Sequence, residues 1–130
     1  KAGYRGWYVK TSSTENHLKN LLGEKSQNWT NKELWAPAWK AKKIASATGA
    51  GDASISGFLK GFLEKLTIEE SLKCAVCLGW QNIQALDAVS GIRSWDETTR
   101  LIKQKVPFID PEIRSKKWSV DKKTELWGKK

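Results

Sequence analysis

The 130-residue sequence has no methionine, one histidine, two cysteines and three prolines. Cys74 and Cys77 alone cannot make a disulfide framework, so a reducing, cytoplasmic setting is expected. Their C-x-x-C spacing puts both thiols on one helix face. With no second Cys pair, and His17 isolated in a polar stretch, four metal ligands cannot be assembled. No metal site is read here, and the thiols are taken as small packing groups. No apolar run reaches the ~20 residues of a membrane-spanning helix. The opening KAGYRGWYVKT lacks the apolar core of a signal peptide. With no methionine even at its start, the sequence is expected to be part of a longer chain.

Acidic residues are also scarce: 14 against 23 basic ones, a formal charge of +9. The excess sits at the two ends. Residues 1–43 carry nine basic and three acidic groups, residues 44–102 five and seven, and residues 103–130 nine and four. A nucleic-acid binder concentrates positive charge on one element. Here it flanks a nearly neutral middle, so nucleic acid is not the expected partner, although eight Trp could stack on bases. Five of those Trp fall in apolar or strand-like contexts.

Along the chain, GYRGWYVK (3–10) reads as a glycine turn running into a short strand. Residues 11–33 are polar and aperiodic, a loop with one short helix around Leu18–Leu22. Residues 34–45 alternate at Trp39, Ala41 and Lys43, with Pro37 at a strand entry. After SATGAGD the period becomes helical. Ile55, Phe58, Leu59, Phe62, Leu63 and Leu66 form one apolar stripe. Gly57 and Gly61, a turn apart, leave room for another backbone. Thr67-x-x-Glu70 caps a second helix carrying Leu72, Ala75, Val76, Gly79 and Ile83 on one face. Ser94-x-x-Glu97 caps a third, which Pro107 stops. Asp96 fits the positive end of that third helix. Asn28-Trp29-Thr30 matches a glycosylation sequon, relevant only to a secreted protein. The order strand, strand, glycine turn and three helices predicts an α/β domain whose sheet is only partly present.

The chemistry centres on Thr48-Gly49-Ala50-Gly51-Asp52, between the extended segment and the amphipathic helix. A helix start offers unpaired N–H groups and the positive end of the dipole. Glycine and alanine there let a phosphate approach the backbone, and a neighbouring carboxylate could take a hydroxyl proton. Taken alone, the string fits an ordinary glycine turn better than a phosphate site.

Its surroundings reverse that. TGAGDASISGFLKGFL followed by LTIEESLKCAVCLGW resembles the C-terminal signature of the ribokinase-like (PfkB) family of carbohydrate kinases. GYRGWYVK is similar to the family's GxxG strand-turn, and the likeness continues through DAVSGI (87–92), covering roughly residues 1–106. The resemblance implies the C-terminal part of a ribokinase-like, Rossmann-type three-layer α/β fold. It also implies ATP-dependent, Mg²⁺-assisted phosphorylation of a sugar hydroxyl. Asp52 takes the place of the catalytic base, and Thr48, Gly49, Ala50 and Gly51 that of the anion hole. Gly3 and Gly6 match the turn near the nucleotide phosphates. The segment Cys74–Trp80, notably Val76, Cys77 and Trp80, matches the adenine-pocket wall together with Val89 and Gly91.

Two positions depart from the family pattern. Ser46 replaces an Asp that helps many members hold a monovalent cation, which weakens the case for K⁺. Val76 replaces a frequent Asn, which makes the adenine contacts mainly apolar and loosens nucleotide choice. The family's sugar-binding portion and lid have no counterpart here. The chain alone is therefore expected to bind ATP weakly and phosphorylate no sugar. Residues 107–130, basic and containing Trp118 and Trp127, read as a surface tail or as an arm for the missing portion or a second subunit. The competing functional reading is a non-catalytic nucleotide-binding module of the same fold, which intact Asp52 disfavours.

Overall fold

A computed structural model describes all of residues 1–130. At its centre is a helical hairpin, α3 (Ala50–Leu63) and α4 (Ile68–Asn82). Two glycines allow the helices to meet closely. A Cβ at Gly57 would stand 2.5 Å from the Cys74 carbonyl oxygen, and one at Gly61 2.8 Å from Ser71 Oγ. The close approach expected from the spacing of Gly57 and Gly61 is present, and α4 supplies the second backbone.

The capping sequences act as expected. Thr67 Oγ1 accepts from the Glu70 N–H at 3.2 Å while the Thr67 N–H donates to Glu70 Oε2 at 3.0 Å. The same reciprocal pair at Ser94 and Glu97 opens α5 (Trp95–Leu101). That helix ends before Pro107 because Lys103, Gln104 and Lys105 are exposed and extend no apolar face.

The apolar stripe of α3 divides. Phe58 and Phe62, with Leu66 just past the helix, pack on the core. Ile55, Leu59 and Leu63 are 37%, 51% and 73% exposed, because the residues packed on α3 cover only one side of a helix that is apolar over a wider arc.

The sheet has four strands, β1 (Trp7–Lys10), β2 (Glu33–Ala36), β3 (Trp118–Val120) and β4 (Trp127–Lys129), in the order β1-β2-β4-β3. Every pairing is antiparallel, with Trp7 opposite Ala36, Trp35 opposite Trp127 and Val120 opposite Trp127. Trp7, Val9, Leu34 and Ala36 alternate onto the core side. There Trp7 stacks on Phe58 with ring centroids 5.5 Å apart, and Trp29 meets Phe58 and Phe62 edge-on. Tyr8, Trp35 and Trp118 cluster on the other side, where Lys129 pairs with Glu33 at 3.0 Å.

Three expectations change here. The polar stretch 11–33 holds two short helices, α1 (Asn16–Leu22) and α2 (Ser26–Trp29). The second is held by the Trp29 indole, which donates to the Leu66 carbonyl at 3.0 Å. The strand expected across residues 34–45 ends at Ala36, where Pro37 has no N–H for a ladder. Trp39 then makes only an isolated bridge to Phe108. Residues 107–130 do not hang free: they supply β3 and β4 and bury Leu126 at 3% exposure. The two Trp of that stretch pair within the chain's own sheet. No helix is long and apolar enough to cross a membrane.

Candidate functional site

The Gly3–Gly6 turn, the first turn of α3 and the C-terminal half of α4 meet around a cleft of about 360 Å³. Gly6 turns the chain there with φ +103°, and a Cβ would lie 2.0 Å from the Ala36 carbonyl oxygen, so no other residue fits. Arg5 anchors this turn by donating from Nε and Nη2 to the Pro111 carbonyl at 2.9 and 2.7 Å. Its guanidinium also lies 5.3 Å from the Trp35 ring centroid.

On the opposite wall, Gly49 takes the left-handed conformation (φ +79°) that ends the turn and starts α3. The N–H groups of Gly49, Gly51 and Asp52 donate to nothing in the protein, whereas that of Ala50 bonds the Ala47 carbonyl. Three free donors at the positive end of a 14-residue helix form an anion-attracting surface. Lys1 adds a cation: its Nζ lies 2.8 Å from where a Gly51 Cβ would stand. No carboxylate pairs with that ammonium.

Most of the remaining lining of the cleft is apolar. Val76, Trp80, Trp39, Ile44, Ile83 and Ile109 face it. Trp39 and Trp80 meet edge-on at 5.8 Å, and the Trp80 indole donates to the Lys40 carbonyl at 3.0 Å. Gly79 keeps α4 close to α3, since a Cβ there would fall 2.4 Å from Ser54 Oγ, whose hydroxyl donates to the Ala50 carbonyl.

Of the residues singled out in the sequence, Gly3, Gly6, Ala50, Gly51, Val76 and Trp80 share this cleft. Thr48, Gly49, Asp52, Cys77, Val89 and Gly91 are not among its walls. Asp52 is exposed in the first turn of α3 and its carboxylate has no hydrogen-bond partner; only its backbone carbonyl does, accepting from Ser56 Oγ at 3.0 Å. Cys77 is buried beneath the wall, with Gln81 Nε2 donating to its Sγ at 3.2 Å. Val89 is 72% exposed. A Cβ at Gly91 would sit 2.5 Å from the Gln81 carbonyl oxygen, so that glycine serves packing of the 87–92 loop on α4.

The loop itself is held by Asp87, which accepts from the Ser90 and Val89 N–H groups at 2.6 and 2.8 Å. The hydrogen bonds from Ser90, more than that from Val89, hold its carboxyl below the usual range. Ser46, at the cation-related position, accepts from the Thr48 N–H at 3.1 Å.

Sequence reasoning did not single out Lys1, Tyr4, Trp7, Trp39, Ile44 or Ile109 as cleft residues. Ile109 carries no local signal. It arrives because its N–H donates to the Ala38 carbonyl at 2.8 Å, folding the later segment back on the first half. Trp39 sits two residues beyond Pro37, and only the bridge to Phe108 aims it inward.

The family model for pfkB family carbohydrate kinases matches residues 22–95, more than half of the chain. The chain belongs to that family. Searches of curated proteins and of solved structures return no match. Membership places the protein, at the family level, among the carbohydrate kinases, phosphotransferases with sugar acceptors.

Proposed function

We propose that this chain supplies the ATP site, anion hole and catalytic base of a carbohydrate kinase with a ribokinase-like C-terminal fold. The observation that carries the reading is the single cleft joining the Gly3–Gly6 turn, the Ala50–Gly51 helix start and the Val76–Trp80 wall. Its lining combines two features that suit ATP: apolar rings for the base, and Lys1 with the free N–H donors of the α3 start for the phosphates. The chain has no cluster of three His, Cys, Asp or Glu side chains for a resident metal. Mg²⁺ enters this reading as the counter-ion of the nucleotide, held mainly by phosphate oxygens and water.

In the reaction, Asp52 takes the proton of the sugar hydroxyl. That oxygen bonds to the γ-phosphorus as the bond to the ADP oxygen breaks. The N–H groups of Gly49, Gly51 and Asp52 meet the charge on the transferring group. Exposure of Asp52 beside the cleft, rather than within it, leaves its carboxylate open to an acceptor approaching from outside. The same exposure and lack of partners also fit a binding module without turnover, which is the second reading.

Sugar-dependent ADP release by the full-length gene product separates the two. Asp52→Asn should lower turnover by ~10²–10⁴-fold with ATP affinity unchanged, because the amide keeps its size but cannot take the proton. Equal turnover of the two forms removes Asp52 from the mechanism, and ATP binding without turnover on any sugar supports the module.

A further inference from the structure

The cleft's lining also bears on which nucleotide it takes. Seventeen residues form its walls, and none of them is Asp, Glu, Asn, Gln, His or Arg. The polar side chains present are Lys1, at the phosphate end, the Ser54 hydroxyl, the Tyr4 hydroxyl and the three indoles. Ser54 Oγ already donates to the Ala50 carbonyl, and Trp80 Nε1 to the Lys40 carbonyl. The other two indoles, of Trp7 and Trp39, are donors only.

Adenine and the 6-oxo purines differ in one respect at the six position. Adenine offers an N–H donor there, and hypoxanthine and guanine a carbonyl acceptor. Telling them apart by side chains takes a carboxylate or amide aimed at that edge, and the lining has Val76, Ile44, Ile83 and Ile109 instead. Tyr4 is 66% exposed, at the surface and able to bond water. The indole donors of Trp7 and Trp39 can serve the N3 and N7 acceptors that every purine carries, and the rest is shape and ring contact, to which all purines contribute alike.

We infer that this cleft takes purine nucleoside triphosphates as a class, without selecting adenine. The inference rests on the proposed nucleotide site and specifies its substrate. Affinity for the base comes from burying a flat ring against Trp39 and Trp80, and the triphosphate is held at the α3 start beside Lys1.

The test is a direct binding titration of the purified protein with Mg²⁺ complexes of ATP, ITP and GTP, and with Mg²⁺ tripolyphosphate. ATP, ITP and GTP should bind within about tenfold of one another, far from the ~10⁴-fold rejection shown by sites that read a hydrogen-bonding group. Tripolyphosphate should bind more than about tenfold weaker than ATP, a difference of ~1.4 kcal/mol. ATP binding with ITP and GTP weaker by more than that factor overturns the inference and leaves the nucleotide site standing. Tripolyphosphate matching ATP overturns it too, since the base would then lie outside the cleft. Failure of all four ligands overturns both the inference and the nucleotide site.

Discussion

Gly57 on α3 faces the carbonyl oxygen of Cys74 on α4 so closely that a Cβ would stand 2.5 Å away. Backbone cannot yield as a flexible side chain can, so any larger residue must push the hairpin apart. That hairpin positions both the α3 start and the Val76–Trp80 wall. Gly57→Val should therefore cost ~1–3 kcal/mol and lower the melting temperature by roughly 5–15 °C. Gly128→Ala is the control, because its Cβ would meet only Leu34 at 3.7 Å. Equal melting temperatures for the two variants would show that the helices are not in this contact.

The last segment of the chain is part of the folded unit. Leu126 is 3% exposed, and β4 pairs with both β2 and β3. Leu126→Ala should destabilise by ~2–5 kcal/mol, the usual range for an aliphatic side chain lost from a core. Chemical denaturation measures it. A change within about 0.5 kcal/mol, typical of surface sites, would return this segment to the status of a tail.

Burial pushes the Cys74 thiol up to about 12 and the Cys77 thiol up to about 11. In the unfolded chain both should ionise near ~8.5. The stability held by the neutral buried thiols is thus intact below that value and declines as pH rises toward 11, because only the unfolded state loses protons. At pH ~8 both thiols should resist a thiol-specific reagent in the native state and react together on unfolding. Fast labelling of either thiol in the native protein would contradict their burial.

Local chemistry made much of this fold legible from sequence. The two capping boxes, the paired glycines of α3 and the GxxG turn each depend on residues within one or two turns of one another. The glycine turn that starts α3 was legible for the same reason. Part of the cleft's apolar lining was not, because Trp39 and Ile109 arrive through pairings between residues 38–40 and 107–109 that no local pattern encodes. The exposed half of the α3 stripe was misleading for a related reason: periodicity shows that a helix has an apolar face, and only the packed neighbours decide how wide a strip is buried.

The central claim is that three segments distant in sequence form one nucleotide site. Hydrogen–deuterium exchange with and without Mg²⁺·ATP tests it most directly. Bound ATP should slow exchange together in the Gly3–Trp7 turn, at the free N–H groups of Gly49, Gly51 and Asp52, and in α4 from Val76 to Trp80. ATP binding that leaves the Gly49–Asp52 amides exchanging as fast as before would contradict the account.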